Sequence, residues 1–404
     1  MRRTLAWAVL PILAALLLFP AWAREPRRDP GTGKIRLKYV GDCLAAQTPT
    51  RGLNLDPLIS LSLIPSSIQE WAVDLKDIRR YMRLYMPRNQ EQLSGETDVV
   101  MLSNSAADYF RPEWLRWVSD STGDGLGLVM IGGLASFGGF NGYIVYPDWG
   151  QTDIGMLLPV ETIRVDDDGA YDFTFRLLPS MVDDPLMSAF DWKRGPLFFA
   201  VNRASLKPGA RRIAVTDPEE RPLMAYWDFV EGSVLAFLSS WGRPWGDDFA
   251  RWEYFVDFSA DMAYYSAGLE IPDPVVVHEI RMLFEEFQLA REIVRSTLDF
   301  VDRLGGSVTR VQGRLDDLVS RREGADELYI QQEYVECQEE MVSLIGDVRP
   351  ISEDAIRAKN SAFLWIYIIE WSSVTATVFL SGYFLYWTMV RRRLFRRVES
   401  TRTF

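Results

Sequence analysis

The stretch Leu126-Gly127-Leu128-Val129-Met130-Ile131-Gly132-Gly133-Leu134-Ala135-Ser136-Phe137-Gly138-Gly139-Phe140 decides how this chain is read. A continuous apolar run that ends in paired glycines fits a strand buried on both faces of a parallel sheet, followed by a turn. Open α/β sheets place ligands outside the carboxyl ends of such strands. Glycines there let backbone N–H groups face an anion or a carbonyl oxygen. The same glycines also permit a tight, closely packed turn with no ligand. Spacing leaves both readings open, since the run is neither G-x-G-x-x-G nor a Walker loop.

The flanking sequence repeats the strand-helix alternation. Ile35-Arg36-Leu37-Lys38-Tyr39-Val40 alternates with period two and ends at Gly41-Asp42, and Val99-Val100-Met101-Leu102 is another buried-strand run. Helix-like segments lie between them, at Ser67 to Met86 and Arg111 to Thr122. Leu223 to Trp227 and Ser233 to Leu238 form a hairpin-like pair around Glu231-Gly232. This pattern predicts an α/β domain with an open, mostly parallel, doubly wound sheet across residues 24–272.

After Pro272 and Pro274 the period changes to seven. Ile280, Phe287, Val294, Val301, Val308 and Leu315 are joined by Leu283, Ala290, Thr297, Leu304, Val311 and Leu318, three residues after each. Paired positions over six heptads predict a coiled-coil helix from about Val276 to Val319, roughly 66 Å long, with a bend at Gly305-Gly306. Arg321-Arg322-Glu323-Gly324 interrupts the pattern, and a second set follows through Ile330, Tyr334, Cys337, Met341, Leu344 and Val348 to Pro350. Residues 273–360 are therefore expected to be a helical stalk, either a hairpin within one chain or a surface for self-association or a protein partner.

Residues 361–390 are nearly free of charge, and Arg391, Arg392, Arg393, Arg396 and Arg397 follow at once. About 20 apolar residues cross a ~30 Å hydrocarbon core, so this segment predicts one transmembrane helix. Arginines on its C-terminal flank place the tail, 391–404, in the cytoplasm and the preceding domain outside. Glu370 is expected near the outer interface. At the other end, Arg2-Arg3, the apolar run Leu5 to Pro20 and Ala21-Trp22-Ala23 have the three parts of a secretory signal peptide, 1–23, with an uncleaved first membrane helix as the alternative.

Composition narrows the chemistry. The chain has 44 basic and 56 acidic residues. Setting aside the two leader arginines, the six tail arginines, Glu370 and Glu399 leaves 36 basic against 54 acidic, a balance that repels nucleic acid. Cys43 and Cys337 are the two cysteines, too few for a disulfide scaffold or a cysteine zinc site. Two free thiols or an intermolecular bridge are expected. His278 is the single histidine, so no Ser-His-Asp or Cys-His-Glu triad forms in the α/β domain unless His278 reaches back into it.

Seven motifs stand in an order that resembles a known family: Gly41-Asp42, Asp98-Val99-Val100-Met101-Leu102-Ser103, Gly132-Gly133 with Ser136-Phe137-Gly138, Leu157-Leu158-Pro159-Val160, Asp184-Pro185-Leu186, Gly232-Ser233-Val234-Leu235-Ala236-Phe237, and the block Trp241 to Phe258. Over about residues 34–265 they resemble the glutamine-amidotransferase-like domain of bacterial and archaeal membrane proteins, a relative of the class I amidotransferase fold. The resemblance implies a class I amidotransferase-like, flavodoxin-like sheet. It also implies a Cys nucleophile on a G-x-C-x-G elbow, a His and a Glu. This chain has no G-x-C-x-G and no His before residue 278.

The expected role is thus a non-catalytic ligand- or protein-binding scaffold without a cofactor or metal, whose ligand-binding residues are Asp42, Gly132, Gly133, Ser136, Phe137 and Gly138. The alternative is an envelope hydrolase using Ser136 or Cys43 as nucleophile. Asp166-Asp167-Asp168-Gly169 is read as an acidic turn. Trp241, Trp245, Trp252, Tyr254, Phe255 and Phe258 are read as core rather than as a stacking platform.

Overall fold

The computed structural model describes residues 26–43, 50–67, 74–141, 145–164, 174–181, 183–242 and 244–399, the last four by backbone alone. The leader 1–23, the Asp166–Gly169 turn and residues 400–404 lie outside the described residues.

Nine strands form one sheet: β1 (Ile35–Gly41), β2 (Ile59–Pro65), β3 (Val99–Ser103), β4 (Gly127–Ile131), β5 (Phe175–Pro179), β6 (Leu197–Phe198), β7 (Arg211–Asp217), β8 (Pro222–Phe229) and β9 (Gly232–Phe237). Their spatial order is β2-β1-β3-β4-β9-β8-β7-β5-β6. The first five run parallel. The remaining four are added antiparallel, beginning with the β8–β9 hairpin that the sequence predicts. The continuous apolar runs become β3, β4 and β9, buried along their whole length.

Helices α1 (Thr50–Leu55), α2 (Leu75–Tyr85), α3 (Gln90–Glu96), α4 (Pro112–Gly123) and α5 (Phe255–Ala267) surround the sheet. Strand alternation shows that both faces are covered. Gly127 and Ser233 are paired in register, and both face Ser266 of α5. Gly232, one residue earlier, faces the Thr122 carbonyl of α4. The aromatic block is core: Trp241, Phe249 and Phe258 are fully buried, and Phe249 meets Phe237, Trp252, Phe255 and Phe258 at ring distances of 5.2–6.0 Å.

The C-terminal region differs from its sequence reading in three places. The helix expected from Val276 to Val319 is two helices, α6 (Pro274–Arg303) and α7 (Thr309–Ile330). Gly305, at φ +75°, lies between them and turns the chain where a bend was expected. Arg321–Gly324 is uninterrupted helix within α7, because a slip in the heptad changes which face is apolar without breaking the backbone. Pro350 lies inside α8 (Tyr334–Glu399), a single helix of 66 residues. The Gly346 carbonyl left without its N–H partner is on an exposed residue, open to solvent.

The chain divides into two compact units, Met1–Met282 with Asp326–Cys337, and Leu283–Ala325 with Gln338–Phe404. In the second unit the chain packs on itself. Phe287, Val294, Val301, Leu315, Leu318, Met341, Leu344 and Val348 are buried. Arg321 reaches Glu340 at 2.9 Å and Asp347 at 2.6 Å, while Arg314 pairs with Asp354, so α7 and α8 are antiparallel. Phe300 of α6 meets Phe363 of α8 at 5.5 Å. Beyond this packing, α8 is long and apolar enough to cross a membrane.

Candidate functional site

The carboxyl ends of β1, β3 and β4 bring the expected site residues to one edge of the sheet. Asp42, just past β1, is buried, and its Oδ1 accepts from Tyr39 Oη at 2.9 Å and Ser103 Oγ at 2.7 Å. Cys43 is next, half-buried and free. Burial, reinforced by the Asp42 charge, pushes its thiol up to about 12, so almost no thiolate exists at neutral pH.

The turn after β4 is filled by protein. Gly132 N–H donates to the carbonyls of Phe237 at 2.8 Å and Ser239 at 3.0 Å. Gly133 N–H donates to Asn202 Oδ1 at 2.9 Å, and Asn202 Nδ2 returns a bond to the Gly133 carbonyl at 3.0 Å. Ala135 N–H donates to Asn104 Oδ1 at 3.0 Å. Trp149 closes the turn, its Nε1 donating to the carbonyls of Ser105 at 3.0 Å and Ala135 at 2.9 Å. The Gly132, Gly133 and Ala135 N–H groups, which could otherwise face an oxyanion, are thus engaged.

The glycines answer to packing. A Cβ on Gly132 would lie 2.5 Å from Asn202 Oδ1 and 2.7 Å from the Leu238 carbonyl. On Gly133, at φ +140°, it would lie 2.4 Å from Asn104 Oδ1. On Gly138 it would meet the Ile163 carbonyl at 2.5 Å. Phe137 is fully buried at φ +53°. Ser136 is buried as well, and its Oγ donates to the Ile131 carbonyl at 2.7 Å; among the described residues no base is hydrogen-bonded to it.

His278, on the first turns of α6, does reach the α/β unit, at a different place. Its Nδ1 lies 2.7 Å from Asp257 Oδ2, and its ring is 4.7 Å from that of Tyr254. Neither Ser136 nor Cys43 is among its partners. The hydrogen bond to Asp257 holds the imidazole pKa above its usual value.

Behind His278 lies a cluster that sequence reasoning missed. Arg281 is fully buried, with Nε 2.9 Å from Asp56 Oδ2, Nη1 2.9 Å from Asp257 Oδ1 and Nη2 3.2 Å from Asp261 Oδ1. Tyr264 Oη donates to the Asp56 carboxylate at 2.6 Å, and Tyr329 Oη donates to it at 3.0 Å. Three carboxylates converge on one guanidinium, with the His278 ring beside Asp257. Burial raises Asp261 to about 7, against the pull of Arg281, and among the described residues its Oδ2 has no hydrogen-bond partner. The available signal is two aspartates four residues apart in the otherwise uncharged Phe255–Ala267, which a buried helix holds only with a cation in reach. This cluster assembles charge around Arg281 and presents no nucleophile.

Residues 96–265 match the family model described as "Putative glutamine amidotransferase". Comparison with curated proteins returned no match. Among solved structures, the chain is similar to the cytoplasmic protein STM1381 from Salmonella typhimurium LT2, at 19% identity and a TM-score of 0.47, over 57% of this chain and 98% of that one. It is also similar to the cytoplasmic protein STM3548 from Salmonella typhimurium, at 16% identity and 0.48, over 57% and 99%. A ThuA-like protein from Bacteroides uniformis follows at 10% identity and 0.34, over 59% and 94%. By the family model, residues 96–265 of this chain are similar to the glutamine-amidotransferase-like family.

Proposed function

We propose that this chain is a single-pass membrane protein whose amidotransferase-like domain lies outside the cytoplasm and serves as a non-catalytic scaffold of the cell envelope. The observation that carries the non-catalytic part is the filled turn after β4. The Ser136 hydroxyl donates a hydrogen bond to the Ile131 carbonyl, and Gly132, Gly133 and Ala135 direct their N–H groups at protein acceptors. Acyl transfer needs a nucleophile beside a base and open donors for the oxyanion.

Anchoring is supported by α8, where Trp365, Ile369, Trp371, Phe379, Leu380 and Tyr383 are all exposed on a helix long enough to span. Arg391, Arg392 and Arg393 at the end of the apolar stretch favour a cytoplasmic C-terminus. The helical region is the proposed contact for a partner protein or a second copy. Leu289 and Ile293, one turn apart on α6 and exposed, are residues such a contact would cover.

The test uses the full chain made in bacteria with a C-terminal tag. The protein should stay in membranes through an alkaline carbonate wash, and trypsin added to spheroplasts should remove the domain while sparing the tag. Release by carbonate refutes anchoring, and loss of the tag refutes the orientation. Labelling of Ser136 by a fluorophosphonate probe would overturn the non-catalytic reading in favour of the hydrolase.

A further inference from the structure

The geometry points to a binding site for a small organic anion, between α2 and the segment Asp108–Trp114. A cavity of about 540 Å³ opens there, within the range of small-molecule sites. Its place in the fold is informative. The chain steps from β1 out to β2, then crosses back over β1 to β3, which makes the carboxyl end of β1 a topological switch point. α2 follows β2, and Asp108–Trp114 follows β3, so the cavity is walled by the two segments that flank this crossing. Open sheets bind ligands outside such crossings. The cavity is separate from the packed turn after β4, and the inference does not depend on membrane anchoring.

The lining has a definite chemistry. Lys76, Arg79 and Arg83 stand three and four residues apart along one face of α2, and Arg111 faces them from the start of α4. All four are exposed, in a chain whose net charge is −12. Among the described residues, Asp108 is the one acidic residue of the lining. Among the described residues no carboxylate pairs with any of these four cations. Arg83 Nε donates to the Arg79 carbonyl at 3.1 Å, and the Arg111 guanidinium lies 5.1 Å from the Trp114 ring. The floor is apolar, made by Met82, Phe110 and Trp114, all buried.

Unpaired cations above an apolar floor fit one ligand class, a phosphate or carboxylate attached to a flat or apolar body. Arginine forks hold the anionic head, and the body covers Trp114 and Phe110. Nothing in the site activates a bond, so the site binds.

Calorimetric titration of the full chain in neutral detergent with phenyl phosphate tests this, with phenol as the uncharged body. Phenyl phosphate should bind saturably, more weakly as salt rises, and phenol should not. Arg79→Gln with Arg111→Gln alters exposed side chains, leaves the fold intact by circular dichroism, and should weaken binding at least about tenfold. Arg80→Gln, on the same helix but outside the lining, should leave it unchanged. Three results would overturn the site: no saturable binding, phenol binding as well as phenyl phosphate, or Arg80→Gln weakening binding as much as the double variant.

Discussion

Asp261→Asn tests how the buried cluster is charged. In the folded protein Asp261 holds its proton to about pH 7, whereas its ordinary value is 3.8. The folded state therefore binds more protons than the unfolded chain between these limits. Stability from this group is complete below the lower value and is lost as pH rises through the upper one. Each pH unit inside the window is worth about 1.36 kcal/mol. Between about pH 5.5 and pH 8.5 the wild-type protein should lose about 2 kcal/mol from Asp261 alone, most of it below pH 7. The amide that Asp261→Asn introduces cannot ionise and escapes that loss. The stability difference, variant minus wild type, should therefore rise by about 2 kcal/mol across the window, or about 4–8 °C in Tm. His278, also held above its usual value, loses its contribution in the same direction, but both proteins carry it and it cancels. Thermal unfolding of both full chains by near-UV circular dichroism, at the two pH values, measures the difference directly. A difference that stays flat or falls would refute the reasoning, since Asp261 would then be ionised throughout.

Gly133→Ala forces a Cβ into Asn104 at φ +140° and should lower stability by at least about 2 kcal/mol, read as a Tm drop or loss of folded protein; an unchanged Tm would mean the turn is loose. Ser136→Ala removes one buried hydrogen bond and should cost about 1 kcal/mol in a denaturant titration, with the fold intact. Cys43 and Cys337, both pushed up to about 12 by burial, should resist iodoacetamide at neutral pH until the chain is unfolded; prompt alkylation of either in the folded protein would contradict the burial argument.

Much of the α/β unit could be read from local pattern. Val99–Leu102 and Leu126–Ile131 are continuous apolar runs because helices cover both sides of the strands they become. The hairpin of β8 and β9 announced itself through its turn. The outer antiparallel strands β5 and β7 do not, since strands in this part of the sheet carry mixed residues such as Phe175-Arg176-Leu177 and Arg211-Arg212-Ile213. Period seven located the apolar seam of the C-terminal helices but not their ends, which depend on backbone at Gly305 and on solvent at Pro350. The sequence of the Ser136 turn does not separate a ligand loop from a packed one, because what fills it, Asn104, Asn202 and Trp149, comes from three distant places in the chain. Arg281 is the extreme case: no window of sequence contains both the cation and Asp56.

That separation has a consequence for how the molecule is made. Asp56 precedes Arg281 by 225 residues and Tyr329 by 273. At about 5–20 residues per second, a ribosome needs roughly 10–45 s to supply the cation after the first aspartate has been made. By then every strand of the sheet has been synthesised, and so has α5 with Asp257 and Asp261. Until Arg281 arrives, docking α5 would bury three carboxylates with no cation among them. The first turns of the helix that follows the domain therefore supply the cation on which its buried carboxylates converge.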